Sequence, residues 1–149
     1  MKNIEEKLIE QLKAGKCAPQ IAQLARSLKE PATTIHYNIH RMQKEGKIKA
    51  CHAVFDHAKI GQPMCTYVLI TLSPDEYADP ERFAAELAKH PQIESVDIIT
   101  GDWEMLLKVR TAGMDEYYAL VKSVLSKKGI NKIKSLQSMK QLKSEFIPM

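Results

Sequence analysis

The chain lacks much of what membrane proteins, secreted scaffolds and many enzymes need. No apolar run reaches the roughly 18 residues of a membrane span. The opening Met1-Lys2-Asn3-Ile4-Glu5-Glu6 has none of the basic-then-apolar layout of a signal peptide, so a cytoplasmic protein without a membrane partner is expected. Only three cysteines occur, Cys17, Cys51 and Cys65, an odd number without CxxC spacing. That argues against a disulfide framework or a zinc ribbon and leaves free thiols as the expectation. Cys51 and Cys65 have apolar neighbours typical of buried filler. Neither a phosphate-cradling glycine loop nor a nucleophile–base triad can be found, so no catalytic residue and no cofactor is expected.

What is present is globular and unevenly charged. The 149 residues, 44% of them apolar, suffice for one ordinary domain or two small ones. The net charge of +4 is not evenly spread: residues 1–61 hold 11 Lys and Arg against 6 Asp and Glu, a net +5, and the remainder is at −1. An N-terminal module facing a polyanion and a C-terminal module with other work suit that asymmetry.

Three short helical patterns fill the basic part. Asn3 with Glu6 three residues on resembles a capping box, followed by Ile4, Leu8, Ile9 and Leu12 up to Gly15. Ile21, Leu24, Ala25 and Leu28 have helical spacing, with Pro19 expected in the first turn. A third helix starts at Pro31, repeats its core pattern at Ile35, Ile39 and Met42, and stops at Gly46. With only Lys29-Glu30 between the last two, the arrangement predicts a helix-turn-helix. Residues 48–54 alternate weakly, predicting a short strand or wing, and Asp56 to Pro63 reads as a hinge.

From Thr66 on, the order is strand (66–72), helix (80–89), strand (93–100), strand (103–110), helix (114–127) and strand (130 to about 142). The fold class is therefore α+β: a (winged) helix-turn-helix domain followed by a ferredoxin-like βαββαβ domain, with expected bounds 1–55, a hinge at 56–64, and 65–149. Tyr117, Tyr118, Val121, Val124 and Leu125 are expected on the buried face of the last helix, and Trp103, Met105, Leu107 and Val109 on the helix-covered face of the sheet. The first strand is apolar on both faces, Val68, Ile70 and Leu72 on one and Tyr67 and Leu69 on the other. One layer of helices covers only one of these, so a second copy is expected on the other, making a homodimer.

At 100° per residue, the side of the third helix away from Ile35, Ile39 and Met42 holds Thr33, Tyr37, His40, Arg41 and Lys44. Hydrogen-bonding and cationic side chains on one face are what a helix in a major groove uses for base edges and phosphates. Thr33, Thr34, His36 and Tyr37 in the first turns would go deepest, with Arg41 and Lys44 on phosphates, and double-stranded DNA is the expected partner. The bland alternative is an ordinary solvated face. His36 and His40, four apart with Cys51 and His52 further on, do not complete a ligand set, and no metal is expected. Thr100-Gly101-Asp102-Trp103 can offer N–H donors, a carboxylate and an indole to a zwitterion, but Gly-Asp is also a common hairpin turn.

Together these stretches resemble the Lrp/AsnC (feast/famine) transcription regulators along nearly the whole chain. Leu24-Ala25, Thr33-Thr34-Ile35, Met42 and Gly46-Lys47-Ile48 are similar to the family's helix-turn-helix framework. Ala53-Val54-Phe55-Asp56 and Lys59-Ile60-Gly61 resemble its hinge, and Thr100 to Val109 its most recognisable ligand-domain motif. The resemblance implies a sequence-specific regulator, a dimer assembling to tetramers or octamers, and a small effector, usually an amino acid, bound near the Gly-Asp turn. It makes Thr100, Gly101, Asp102 and Trp103 effector candidates, joined by Ser135, Gln137 and Ser138 of the last strand. Pro31 stands where a Ser cap is common, resembling archaeal members, and Asn38 where an Arg is frequent, which weakens the case for phosphate contact at that position. Siroheme decarboxylases are similar in both domains, but their Arg-Arg and His-Asn-Tyr segments correspond here to Lys47-Ile48-Lys49-Ala50 and Ser95-Val96-Asp97-Ile98. A partner protein that binds an effector but not DNA is a further alternative.

Overall fold

The computed structural model describes residues 3–142. The first two positions of the expected N-terminal domain and the last seven of the C-terminal one lie outside the described residues. The chain divides into two compact units, Met1–Val54 and Phe55–Met149.

The first unit is built on three helices, α1 (Ile4–Lys13), α2 (Ile21–Leu28) and α3 (Ala32–Lys44). Asn3 and Glu6 form the capping box at α1: Asn3 Oδ1 accepts the Glu6 N–H at 2.9 Å and Glu6 Oε2 accepts the Asn3 N–H at 3.2 Å. Pro19 stands before the cap residue Gln20 rather than in the first turn of α2, and its carbonyl accepts the Ile21 N–H. After α2 the backbone turns through Lys29 in the left-handed region, φ 55°, and the Glu30 N–H returns to the Ala25 carbonyl at 3.0 Å. Pro31 then caps α3 without a side-chain bond, and only Ile35 of the apolar face is buried.

The strand expected over 48–54 is reduced to one parallel bridge between Lys16 and Cys51. Its alternation of Ala50, His52 and Val54 meets no neighbouring strand among the described residues, and an unpaired run gains nothing from extended backbone.

The second unit is a four-stranded antiparallel sheet in the order β2-β3-β1-β4, with β1 Met64–Leu72, β2 Ile93–Ile98, β3 Met105–Thr111 and β4 Ile130–Gln137. Two helices, α4 (Pro80–Leu87) and α5 (Met114–Leu120), cross it, giving the ferredoxin-like arrangement. Val68 sits between Leu107 and Ser135, and Ile70 between Met105 and Ile133. Val68, Ile70, Met105, Leu107 and Val109 are fully buried against Leu87, Tyr117, Leu120, Val124 and Leu125. Each such side chain contributes about 1.5–3 kcal/mol.

Three details differ from the helical and strand patterns. α5 continues as a π-helical turn, Val121–Leu125, and Leu120 rather than Tyr118 faces the core; Tyr118 is 62% exposed, with Lys122 Nζ 5.5 Å from its ring centre. One residue from Tyr117 is about 100° round the helix, which takes the large phenol to the flank. Ala88, at helical spacing from Ala84, is the exposed C-cap of α4. Trp103 precedes β3 and is not packed in this core; its ring lies beside Lys132.

The sheet face away from the helices carries half-buried Tyr67, Leu69 and Leu106 and exposed Leu136. One end of it is covered by the chain itself. Arg110 is on this face yet only 5% exposed. The register slips at Glu94, a bulge that aims its carboxylate at Arg110 Nε, Lys108 Nζ and His57 Nε2, each at 3.2 Å. Arg110 also donates to Gln141 Oε1 at 2.5 Å. His57 comes from the expected hinge, which is folded as a turn closed by Gln62 N–H to the His57 carbonyl at 2.8 Å.

Glu94→Ala strips the buried Arg110 of its carboxylate. We expect about 2–3 kcal/mol lost in urea unfolding, below the full value for breaking a buried pair because a quarter of the Glu94 side chain remains in solvent. A loss under about 0.5 kcal/mol would mean that Gln141 and water satisfy Arg110.

Candidate nucleic-acid interface and ligand site

Thr33, Thr34, His36, Tyr37, His40, Arg41 and Lys44 are all exposed, and Tyr37 is the most conspicuous, an aromatic ring 66% in solvent on a helix. The α3 framework explains this. Burial of Ile35 and partial burial of Ile39 fix which side of the helix faces inward, so residues half a turn away face out. Because Pro31 has no side-chain acceptor, the first-turn N–H groups of α3 have no cap and keep their partial positive charge for an anion.

Asn38 organises the middle of this helix. Its Nδ2 donates to the Thr34 carbonyl at 2.9 Å, and its Oδ1 accepts from Arg41 Nη2 at 2.9 Å. Arg41 also lies 3.8 Å from Glu45, which Lys47 approaches to 2.5 Å. Arg41 is thus held back along the helix and must exchange these contacts to meet a phosphate. Lys44 has no carboxylate partner among the described residues. His36 and His40 sit on the same helix, and among the described residues no set of three or more His, Cys, Asp or Glu side chains could hold a metal.

The second candidate site is the β2–β3 turn. Ile99 N–H bonds to the Glu104 carbonyl at 2.9 Å, and Glu104 N–H to the Ile70 carbonyl at 3.0 Å, so both ends of the turn are tied to the sheet. Gly101 has φ 116°, a conformation that favours glycine, although a Cβ there would meet nothing within 4 Å. Thr100, Gly101 and Asp102 are exposed and Trp103 is half-buried.

Two residues brace this turn that sequence patterns do not single out. The Glu104 carboxylate accepts the Leu72 N–H at 2.9 Å and the Tyr77 hydroxyl. Tyr77 follows a 3-10 turn, Pro74–Glu76, and is 27 residues from Glu104, so only the folded chain brings them together. The Tyr77 hydroxyl holds the Glu104 carboxyl below its ordinary value against the opposing effect of burial, with smaller help from the Leu72 N–H and its own backbone N–H; in return the carboxylate raises the Tyr77 phenol.

Ser135, Gln137 and Ser138 are not brought to this turn within one chain. β4 runs antiparallel to β1, so Ser135 is level with Val68 and Leu107, three residues or roughly 10 Å along β4 from Lys132, which lies beside Trp103 of the turn. Their polar groups are also engaged. Ser135 bonds to the Tyr117 hydroxyl, Gln137 bridges Thr66 Oγ1 and the Cys65 carbonyl at 3.1 Å each, and the Ser138 N–H reaches the Cys65 carbonyl at 3.0 Å.

Residues 65–147 match the family described as the Lrp/AsnC ligand binding domain. An uncharacterised HTH-type transcriptional regulator of Pyrococcus furiosus is 32% identical over 143 residues, 95% of each chain. The HTH-type transcriptional regulator FL11 of Pyrococcus horikoshii is 30% identical over 113 residues, 76% of this chain and 72% of that one. Among solved structures, an AsnC family transcriptional regulator from Agrobacterium tumefaciens superposes with a TM-score of 0.76 at 22% identity, covering 100% of this chain and 97% of its own. A Neisseria meningitidis transcriptional regulator, solved as an L-Met complex, also has a TM-score of 0.76, at 17% identity and covering 95% and 91%.

A carboxyl group held down in the folded state contributes stability above its unfolded pKa and loses it as the pH falls through that range. Tyr77→Phe is therefore expected to move the Glu104 titration midpoint up toward the ordinary value, read by NMR, and to flatten the loss of stability on acidification. An unmoved midpoint would assign the depression to the backbone N–H groups of Leu72 and Glu104.

Proposed function

The chain belongs to the Lrp/AsnC family, and from that premise we propose that it is a sequence-specific DNA-binding transcription regulator whose action responds to a small effector, an amino acid. The outer face of α3 is the observation that carries the first half: seven polar, aromatic or cationic side chains, Thr33, Thr34, His36, Tyr37, His40, Arg41 and Lys44, all exposed on one short helix. Thr34 and Tyr37 in the first turns are positioned for base edges, Arg41 and Lys44 for phosphates. Relatives named as transcriptional regulators support a regulator rather than an enzyme. Cytoplasmic action on DNA fits this reading, and no helix among the described residues is long and apolar enough to cross a membrane.

In this reading the working unit is a homodimer joined through the sheet face that carries Tyr67, Leu69, Leu106 and Leu136, assembling further to a tetramer or octamer. A two-fold dimer presents two copies of α3 to major grooves about 34 Å apart, on a pseudo-palindromic site. The effector half rests on the braced turn Thr100-Gly101-Asp102-Trp103. The L-Met complex of the Neisseria regulator supports an amino acid as the ligand class. Ser135, Gln137 and Ser138 take part only if supplied by another copy, since one chain keeps them far from its own turn.

Selection from random duplex DNA at physiological salt is expected to enrich a pseudo-palindrome; no enriched motif would sink the specific-regulator reading. Lys44→Ala is expected to weaken binding to all sequences and to lower the slope of log affinity against log salt by about 1. Arg41→Ala should do the same to a smaller extent, because Asn38 and Glu45 already compete for the guanidinium. Changes at Thr34 or Tyr37 should instead shift the preferred sequence.

For the effector, a panel of amino acids is expected to contain at least one that raises the melting temperature of the full chain, with the shift lost in Asp102→Ala. A shift that survives that change would place the ligand elsewhere.

A further inference from the structure

Besides its N–H donors, the turn carries only one of the two opposite charges that would complement a zwitterion. Asp102 offers a carboxylate to an ammonium, and Trp103 offers an apolar surface, but residues 100–103 contain no cation to receive a carboxylate. An unpaired ligand carboxylate beside Asp102 would be repelled. The missing charge comes from another strand. Lys132 of β4 is exposed and pairs with Thr71, and its Nζ lies 5.5 Å from the centre of the Trp103 ring. The lysine and the turn meet because β4 begins at the end of the sheet where β1 finishes and the β2–β3 turn is tied on. No carboxylate among the described residues pairs with Lys132.

An exposed cation–π contact is weak, whereas charge-assisted bonds to a carboxylate are stronger. The indole therefore parks the ammonium at the edge of the turn without neutralising it. Resting on the reading of this turn as the effector site, we propose that Lys132 is the residue that binds the effector's carboxylate. The effector is then a zwitterion spanning Lys132 and Asp102, with its side chain against Trp103. An amine or an ester that lacks the carboxylate loses the Lys132 contact.

The test uses the full chain and calorimetric titration. The amino acid giving the largest thermal shift with the wild type is titrated into wild type, Lys132→Met and Lys132→Arg, together with its methyl ester. Lys132→Met is expected to weaken the amino acid about tenfold or more, equivalent to about 1.4 kcal/mol. Lys132→Arg should stay within about threefold of wild type, since it keeps the charge. The methyl ester should bind wild type and Lys132→Met equally weakly, a result that loss of folding could not mimic. Lys132 is overturned, with the effector reading intact, if Lys132→Met binds the amino acid as wild type does or weakens acid and ester to the same degree. If no amino acid binds the wild type, both the effector reading and the role of Lys132 fall together.

Discussion

The pairing of β1 with β3 places Val68 opposite Leu107 and Ile70 opposite Met105, with all four side chains fully buried. Strand side chains alternate, so a slip of one residue would carry all of them to the other face. With that register set, the Glu104 N–H meets the Ile70 carbonyl, its carboxylate meets the Leu72 N–H, and the Gly101 turn is held at the end of the sheet. The same register carries Lys108 and Arg110 to the opposite face, where Glu94 collects them with His57. The candidate ligand turn and the charge cluster are thus two results of one strand alignment, at opposite ends of the same strand.

The N-terminal unit works differently. Among its described residues only Ile35 is buried, so its helices depend more on local signals than on a large core. The capping box at Asn3, the left-handed turn at Lys29 and the Pro31 cap bound α1, the end of α2 and the start of α3. Fixing the start of α3 also fixes which residues lie outward on it. The polar face of α3 thus follows from where the helix begins and from the inward direction set by Ile35 and Ile39.

Most of the architecture was legible because it rests on periodicity. Spacings of three and four marked the helices, alternation marked the strands, and the outward set on α3 follows from geometry alone. Patterns failed where a neighbour decided the outcome. The run 48–54 alternates like a strand but, among the described residues, pairs only through Cys51 with Lys16. Tyr118 is apolar by composition, yet Leu120 fills the core and the π-helical turn follows. Arg110 sits on the face expected to await a second copy and is instead enclosed by Glu94 and Gln141. Of the candidate ligand turn, Thr100 to Trp103 stood out as a motif. Tyr77 and Lys132 did not, because each is joined to the turn only through tertiary contact.

Lys29 shows a compromise written into the helix-turn-helix. A left-handed backbone strains any residue with a Cβ by about 1 kcal/mol, and glycine would relieve it. Glycine would also be freer in the unfolded chain and would take a positive charge away from the bend between α2 and α3. The bend therefore carries a cation at a position where the backbone would be easier with glycine, and the charge there comes at the cost of local strain.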